Sequence, residues 1–334
     1  FNLILFMFKT LKDFDVKEKR VLVRCDFNVP LDDKGNISDD FRIKQALPTI
    51  EYLIKNKAKI ILMSHLDPES TGVADKKYNL DKIRKKLEEL LGVKLGGEIK
   101  LLENLRFNKG ETEPSMEFAK ELAKLGDIYI NDSFSVTHRN HASITLLPKL
   151  LPAGAGLLLE KEIENLNKVL NNPKKPMLAI VGGKKVGTKT KFINKISKVA
   201  DFVIISGLIK KEVIEKKIKF DYPEKIIGSA DSLDALDIDE KTIKMFEEKI
   251  LKAKTILWNG PFGKFEEKKY AKGTLAIAKA IIKSKAFSVV GGGETVEFIQ
   301  KYGLIDKFSW VSTGGGAMMA YLSGEELPGL KALE

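Results

Sequence analysis

Short hydrophobic runs alternate with longer amphipathic segments along the first half of the chain. Runs rich in β-branched residues that end at turn-forming residues are typical of buried strands, and a 3.6-residue period is typical of helices. The alternation predicts a parallel sheet with helices on its faces. The predicted strands are Val21–Cys25, Lys59–Met63, Lys100–Leu102 and Asp127–Ile130, and the predicted helices are Arg42–Lys55 (capped by Asp39 or Asp40), Leu80–Leu91 and Phe118–Leu125.

The same rhythm begins again after a long amphipathic helix that is predicted over Leu157–Leu170. A chain of 334 residues is also long for a single hydrophobic core. We therefore predict an α/β protein of two doubly wound, Rossmann-like parallel-sheet domains, joined by that long helix and a hinge. The predicted strands of the second domain are Met177–Val181, Phe202–Ser206, Thr255–Trp258 and Ser288–Val290.

Lysine dominates the charge of the chain, which has a formal net charge of +11 and a sequence pI of about 9.3. The lysines are dispersed over predicted helix surfaces, as with Lys82, Lys85 and Lys86. A nucleic-acid interface usually needs a basic stripe interleaved with exposed aromatic residues. We therefore expect small anionic ligands and no nucleic acid, and keep a basic nucleic-acid binder as a third hypothesis.

Cys25 is the only cysteine, so the chain can form neither an internal disulfide nor a cysteine-rich zinc site. It lies in a predicted strand, and we expect a small core residue in a reducing cytosol. The apolar start, residues 1–8, is too short to span a membrane, and Met7 offers an alternative start that would make residues 1–6 a mis-assigned extension. We expect a cytoplasmic monomer with no membrane partner.

Glycine-rich turns follow three predicted strands in the second half and precede helical segments. Glycine lets backbone N–H groups approach an anion, and a helix N-terminus adds positive potential. One such turn is often only tight packing, but three in one domain favour phosphate binding; none matches a Walker A loop or a dinucleotide fingerprint. The turns are Val181–Thr190, which contains Lys185 and Lys189, Val290–Thr295 and Ser312–Ala317, and a fourth strand-end loop is Trp258–Glu266.

Basic and polar residues stand at the strand ends of the first half. The fork of an arginine side chain suits bidentate capture of carboxylate or phosphate, so a cluster would cradle a small polyanion. Turn formation alone also explains Asp26 and Asn28. His138 and His141 have the spacing of a metal pair, but no adjacent carboxylate or cysteine completes the set. The members are Arg24, Asp26, Asn28, Arg42, His65, Arg106, His138 and Arg139.

From about residue 9 to residue 333, the motifs resemble those of phosphoglycerate kinases in order and content. So many matches in one order are highly specific. Arg24–Pro30 resembles the family's RVDFNVP, Asp40–Ile43 and Ala46–Ile50 its R-I-x-x-A-L-P-T-I, Ser64–Leu66 the start of SHLGRP, Leu102–Phe107 LENLRF, and Asn131–Ser143 NDAFGTAHRAHAS. Gly182–Lys189 resembles GG-x-K-V-S-x-K, Trp258–Glu266 WNGP-x-G-x-FE, Gly291–Thr295 GGGDT, Ser312–Ala317 STGGGA, and Leu327–Gly329 LPG.

The resemblance implies a kinase that moves a phosphoryl group between 1,3-bisphosphoglycerate and Mg²⁺-ADP, by positioning and charge neutralisation without a protein nucleophile. It assigns residues 7–160 to 3-phosphoglycerate, with a tail of residues 322–334 packing back on them, and residues 161–321 to ATP or ADP. The implied substrate residues are Asp26, Phe27, Asn28, Arg42, His65, Leu66, Arg106 and Arg139. The implied nucleotide residues are Gly183, Lys189, Gly207, Asn259, Pro261, Glu266, Gly292, Gly293, Glu294 (the Mg²⁺ ligand) and Thr295, and the implied catalytic groups are Lys185, Arg42, Gly292 and Gly315.

Four departures from the family pattern bear on activity. Asp67-Pro68-Glu69 removes an arginine and places carboxylates near an anionic substrate, and Glu294 replaces an aspartate. Ile204–Ile209 lacks two glycines of the family, and the stretch Lys210–Lys241 is shorter than is usual, which trims the expected adenosine pocket. A catalytically impaired, nucleotide-binding descendant of the same fold is therefore the second hypothesis.

Overall fold

The computed structural model describes residues 8–67, 72–183 and 186–334, and of residues 186–188 it describes the backbone alone. It divides the chain into two compact units. The N-terminal unit runs to Ile163 and also includes Glu326–Glu334, and the C-terminal unit is Glu164–Glu325. The sequence placed the corresponding limits at residues 160/161 and 321/322, and the ligand assigned to each unit stays a prediction. Pro68, Glu69 and the predicted catalytic Lys185 lie outside the described residues.

The N-terminal unit is built on a parallel five-stranded sheet with the strand order β3-β2-β1-β4-β5. Its inner strands are hydrophobic on both faces because helices cover both faces. The strands are β1 Arg20–Cys25, β2 Lys59–Met63, β3 Ile99–Leu101, β4 Ile128–Asp132 and β5 Ala153–Ala155, and the helices are α1 Phe41–Lys55, α2 Asp81–Leu91, α3 Lys109–Thr112, α4 Met116–Ala123 and, at the other end of the chain, α12 Pro328–Lys331.

The C-terminal unit has a parallel six-stranded sheet with the order β11-β10-β9-β6-β7-β8. The division between the units falls within α5, Leu157–Leu170. The strands are β6 Met177–Val181, β7 Phe202–Ile205, β8 Ile226–Gly228, β9 Thr255–Asn259, β10 Phe287–Gly291 and β11 Trp310–Val311, and the helices are α6 Val186–Ser197, α7 Gly207–Glu215, α8 Glu240–Lys252, α9 Lys272–Ser284, α10 Gly293–Lys301 and α11 Gly315–Leu322.

The predicted fold class, two doubly wound parallel α/β sheets, is confirmed. In each sheet the strand order reverses at one point, between β1 and β4 in the first and between β6 and β9 in the second. Open α/β sheets bind ligands beyond the carboxyl ends of the strands at such a switch point. We therefore expect one candidate site beyond the carboxyl end of β1 and another beyond that of β6. Asp26 directly follows β1 and Gly182 directly follows β6, and the sequence had singled out both residues.

Of the two caps predicted for α1, Asp39 makes the hydrogen bond. At the start of α1, Asp39 Oδ1 accepts from Phe41 N at 2.7 Å, while the Asp40 side chain makes no cap bond and pairs with Lys44 at 2.8 Å.

Strand β5 was not predicted because its sequence is Ala-Gly-Ala, without a β-branched residue. A small residue is required there, since a Cβ on Gly154 would lie 2.6 Å from Phe14 Cε2.

The N-terminus of α5 is capped by side chains from two other elements. Leu157 N donates to Thr49 Oγ1 at 2.9 Å, and Leu158 N donates to Asp132 Oδ1 at 2.9 Å. These bonds satisfy amides that have no partner within the helix. Asp132 is fully buried, and burial raises its pKa to about 6.

The C-terminal tail packs within the N-terminal unit. Gly329 N donates to Thr137 O at 2.8 Å, and a Cβ on Gly329 would lie 2.6 Å from Ile144 Cγ2, so the tail needs glycine at this approach. Over the ranges that the structure covers, none of the helices combines the length and apolarity that crossing a bilayer would require.

Candidate active site

Asp26, directly after β1, is a buried carboxylate that organises the N-terminal site. Its Oδ2 lies 3.0 Å from Arg42 Nη1 and accepts from Ser135 Oγ, and its Oδ1 accepts from Asn28 N at 3.0 Å. Arg42 Nη1 also donates to Asn28 O at 2.9 Å. The Arg42 side chain is 32% exposed, whereas Asp26 is 3% exposed. The buried carboxylate therefore fixes the guanidinium of Arg42, and part of that guanidinium stays accessible to an anion.

Asn28 and Arg106 fix the backbone of the loop after β2 from two directions. Asn28 Oδ1 accepts from Asp67 N at 2.9 Å, and Arg106 Nη1 donates to Asp67 O. Asp67 has a positive φ of 72°, a conformation that favours glycine, which is the residue the family pattern has there. The Arg106 Nε is buried without a partner among the described residues, as expected of a donor that awaits a ligand or water.

Phe27 and Leu66 are core residues in this structure. Phe27 is fully buried, and its N donates to Ser64 Oγ at 2.8 Å. Leu66 is bound through its backbone to Asn104, whose Nδ2 donates to Leu66 O at 2.9 Å. Both side chains are buried, and the predicted role of these two residues toward the substrate stays a prediction.

A buried polar network surrounds Arg24 of β1. Arg24 and Glu111 are both fully buried with 3.7 Å between Nη2 and Oε1, and Arg24 Nη2 lies 3.2 Å from His65 Nδ1. Ser143 bridges the pair by accepting from Arg24 Nε at 2.9 Å and donating to Glu111 Oε1 at 2.6 Å. Neither Glu111 nor Ser143 was singled out from the sequence. Ser143 falls within a recognised motif, whereas Glu111 offered no local signal.

Positive groups crowd this site enough to perturb one another. Burial, repulsion from Arg139 and repulsion from Arg24 lower the pKa of Arg106 to about 10. Burial and the same kind of repulsion lower the pKa of His141 to about 3 and that of His65 well below its usual value. Arg139, Arg106, Arg24, His65 and His141 therefore act on one region of the N-terminal unit. A polyanion bound there would relieve the repulsion among the three arginines.

Two glycine-rich turns of the C-terminal unit touch at its switch point. Gly182 N donates to Asn259 O at 2.8 Å, and Gly183 N donates to Pro261 O at 2.9 Å. A Cβ on Gly260, whose φ is +97°, would lie 2.2 Å from Gly182 O. No side chain fits at this approach, so glycine is needed here for backbone packing as well as for any ligand.

The turn after β10 is held by Asn259 and Thr295. Asn259 Nδ2 donates to Gly291 O at 3.1 Å, and Thr295 Oγ1 accepts from Gly260 N at 2.8 Å. Gly292 has a φ of +99°, and a Cβ on Gly315 would lie 3.0 Å from Gly292 Cα. The structure thus brings Asn259, Thr295, Gly292 and Gly315 together at one end of the sheet.

Lys189 extends from α6 to the same end of the sheet. It is 6% exposed and its Nζ donates to Gly182 O; burial lowers its pKa to about 8, with Glu294 opposing the shift. A Cβ on Gly183 would lie 2.9 Å from Lys189 Nζ and 3.4 Å from Glu294 Oε2. The ammonium and the carboxylate therefore flank Gly183.

The remaining predicted nucleotide residues differ in exposure. Gly207 opens α7, where Ser206 caps the helix, and Pro261 is buried beside the Gly182 turn. Glu266 is exposed, and so is Gly293 at the start of α10, where a Cβ would meet no described atom within 4 Å. Gly293 is therefore a glycine that packing among the described residues does not require.

Glu294 fits a magnesium site of the kind found with nucleotides. It is exposed in the first turn of α10. Mg²⁺ is commonly held by one or two carboxylates together with phosphate oxygens and waters. Within residues 8–67, 72–183 and 186–334, no group of three or more His, Cys, Asp or Glu could hold a metal ion by itself. A metal at Glu294 would thus depend on phosphate oxygens as further ligands.

Comparisons with known proteins agree along nearly the whole chain. A family model described as phosphoglycerate kinase matches residues 11–221 and 211–325. The phosphoglycerate kinase of Borrelia hermsii is 40% identical over 390 aligned residues, covering 98% of this chain and 99% of the relative. That of Dictyoglomus turgidum is 42% identical over 389, covering 97% and 98%.

Solved structures give the same result. A phosphoglycerate kinase from Coxiella burnetii has a TM-score of 0.84 at 32% identity, and one from Pyrococcus horikoshii a TM-score of 0.85 at 30% identity, each with 98% of both chains covered. The alignments with curated relatives are longer than this chain of 334 residues, and the two family-model segments meet at residues 211–221, within the stretch predicted to be shortened. The chain belongs to the phosphoglycerate kinase family.

Proposed function

We propose that the protein catalyses reversible phosphoryl transfer between 1,3-bisphosphoglycerate and Mg²⁺-ADP, giving 3-phosphoglycerate and ATP. The observation that carries the proposal is the pair of switch points. One presents Arg42, backed by buried Asp26, and the other presents glycine turns beside Lys189 and Glu294. The first suits a small carboxylate with phosphate, and the second suits the phosphates of a nucleotide.

In this proposal the N-terminal unit binds the acid. Arg42, Arg106 and Arg139 neutralise its charges, and Asn28 and Asp26 orient it through hydrogen bonds. Two of these residues already have fixed positions, because Asp26 pairs with Arg42 and Asn28 Oδ1 holds Asp67 N. Preorganised donors of this kind lower the barrier since they need no rearrangement during the reaction.

The C-terminal unit binds the nucleotide. Lys189 and the turn of Gly292, Gly293 and Thr295 bind the phosphates. The residues that contact the remainder of the nucleotide are Asn259, Pro261, Glu266, Gly207 and Gly183. Glu294 would hold Mg²⁺, which supplies charge neutralisation on the phosphate oxygens. Lys185, Arg42 and the amides of Gly292 and Gly315 would stabilise the transferring phosphoryl group.

A nucleotide-binding descendant without kinase activity is the alternative, and full-length similarity to named kinases does not favour it. Its motivation is Asp67, a carboxylate residue in the loop that Arg106 and Asn28 hold. The cytoplasmic location and the monomeric state stay predictions of the sequence.

A coupled assay of ATP formation from 1,3-bisphosphoglycerate and Mg²⁺-ADP tests the proposal. We expect turnover that Lys185→Ala reduces by about 100-fold or more, because charge stabilisation of the transition state is lost. Lys191→Ala is the matched control, since Lys191 is an exposed lysine of α6. Folded, magnesium-replete protein without turnover would reject the kinase and leave the descendant.

A further inference from the structure

Glu111 is a carboxyl residue buried inside the N-terminal unit. Its side chain is fully buried, and both of its oxygens accept hydrogen bonds from Ser143: Oε1 from Oγ at 2.6 Å and Oε2 from N at 2.9 Å. Its Oε1 also lies 3.7 Å from Nη2 of Arg24, which is equally buried.

Ser143 and Glu111 fix the orientation of Arg24. The single proton of the Ser143 hydroxyl goes to Glu111, so its oxygen is free to accept from Arg24 Nε at 2.9 Å. On the other side, Arg24 Nη1 donates to Cys25 O at 2.5 Å. With these two bonds made, Nη2 points at His65 Nδ1, 3.2 Å away.

The contact with Arg24 determines the tautomer of His65. A guanidinium has only donors, so a hydrogen bond between Nη2 and Nδ1 requires Nδ1 to be the acceptor. The proton of the neutral ring is then on Nε2. The titratable groups that act on His65 from neighbouring elements are Arg24 of β1, Arg42 of α1, Arg106 and His141, and each of them opposes a second proton on the ring.

We propose that Glu111, acting through Ser143 and Arg24, is a positioning residue that holds His65 as a neutral Nε2–H donor for an anionic oxygen of the acid substrate. The part that concerns the substrate rests on the proposed function, and the part that concerns the tautomer does not. Because His65 is neutral, its contribution to binding does not change through the pH range around 6.5 in which an ordinary histidine titrates.

Nitrogen-15 NMR of the wild-type protein tests the tautomer without any ligand or activity. The chain has three histidines, and His65→Gln assigns the signals of His65. We expect a pyridine-like Nδ1 and a protonated Nε2 at neutral pH, unchanged on acidification to about pH 5.5, one unit below the ordinary histidine pKa. A proton on Nδ1, or a charged ring at pH 7, would overturn the proposal.

Glu111→Gln tests the positioning role. We expect His65 to show a mixture of tautomers and the Kd for 3-phosphoglycerate to rise about 10-fold, the effect of one weakened charge-assisted hydrogen bond. Glu113→Gln is the matched control, because Glu113 directly follows the same short helix and is 69% exposed in a pair with Lys109. It should leave both quantities unchanged.

The outcomes separate a positioning role from a structural one. A merely structural Glu111 would lower the melting temperature in the Gln variant but leave the His65 tautomer and the Kd as in the wild type, and this result would refute the proposal. If Glu111→Gln does not fold, Ser143→Ala interrupts the same series of hydrogen bonds between Glu111 and His65. The wild-type spectrum still tests the tautomer of His65. Absence of kinase turnover together with the expected spectrum would refute the proposed function and leave the tautomer assignment intact.

Discussion

Arg42 Nη1 lies 3.0 Å from Asp26 Oδ2, so a partly exposed arginine of α1 is anchored to a carboxylate that is almost fully buried beyond the end of β1. Ser135 Oγ donates to the same Asp26 oxygen. The pair joins the first turn of α1 to the segment that follows β1, one of the two strands at the switch point. It gives the guanidinium one direction before any ligand arrives, which reduces the ordering cost of binding.

Arg42→Met should raise the KM for 3-phosphoglycerate by about 10- to 100-fold, because a charge-assisted hydrogen bond is lost and Asp26 is left unpaired. Arg20→Met is the matched control, since Arg20 also pairs with an aspartate, Asp127, at 2.6 Å, but at the opposite end of β1. Steady-state kinetics of both variants check the prediction. Equal KM values for Arg42→Met and the wild type would remove Arg42 from the substrate site.

Asp132→Asn should stabilise the protein above pH 6. The asparagine retains an oxygen that can accept a hydrogen bond from Leu158 N. It removes the carboxyl group of Asp132, whose pKa is raised by burial from 3.8 to about 6. Since the folded state holds this proton more tightly than the unfolded state, wild-type stability is lost as pH rises from about 4 through 6. The gain should reach up to about 3 kcal/mol at pH 7 and vanish near pH 4.

Urea unfolding of Asp132→Asn between pH 4 and 8 measures this gain, and Asp127→Asn provides a comparison of opposite sign. The ion pair with Arg20 lowers the pKa of Asp127 to about 2. Ionised Asp127 therefore stabilises the folded state above the ordinary aspartate pKa, and this stabilisation is lost as the pH falls. A destabilised Asp132→Asn at pH 7 would show that the charge itself is needed at the start of α5.

Gly260→Ala should destabilise the C-terminal unit by about 2–4 kcal/mol, because it combines a positive φ with a direct clash. A Cβ there would lie 2.2 Å from Gly182 O. Gly303→Ala measures the cost of a positive φ without a clash, since Gly303 has a φ of +65° and a Cβ there would meet no described atom within 4 Å. That control should cost only about 1–2 kcal/mol. Thermal or denaturant unfolding that ranks the two variants equally would contradict the close approach of the two turns.

Gly293→Ala should weaken nucleotide binding without loss of stability. The structure leaves open space around a Cβ at this first residue of α10, so the free energy of unfolding should change by no more than about 0.5 kcal/mol. A methyl group there would crowd a phosphate placed on the helix N-terminus. Gly97→Ala, with equally open space in the N-terminal unit, is the control. Unchanged nucleotide affinity would exclude Gly293 from the site.

The sequence predicted the inner strands and the residues at their ends, because hydrophobic runs and turn formers are local signals. Edge strand β8 was missed since it is three residues long and only half-buried. The roles of Glu111 and Asn104 could not be predicted, because each depends on partners far along the chain: Glu111 on Ser143 and Asn104 on Leu66. Lys185 and Pro68-Glu69 lie outside the described residues, so their predicted effects stay predictions.

The central claim is that each unit binds its own ligand, the acid in the N-terminal unit and the nucleotide in the C-terminal unit. Calorimetric titration of 3-phosphoglycerate and of Mg²⁺-ADP, each alone, into the wild type, Arg42→Met and Gly293→Ala tests this claim most directly. We predict that Arg42→Met weakens only 3-phosphoglycerate binding and that Gly293→Ala weakens only Mg²⁺-ADP binding. Failure of the wild type to bind 3-phosphoglycerate, or equal weakening of both ligands by both variants, would contradict the account.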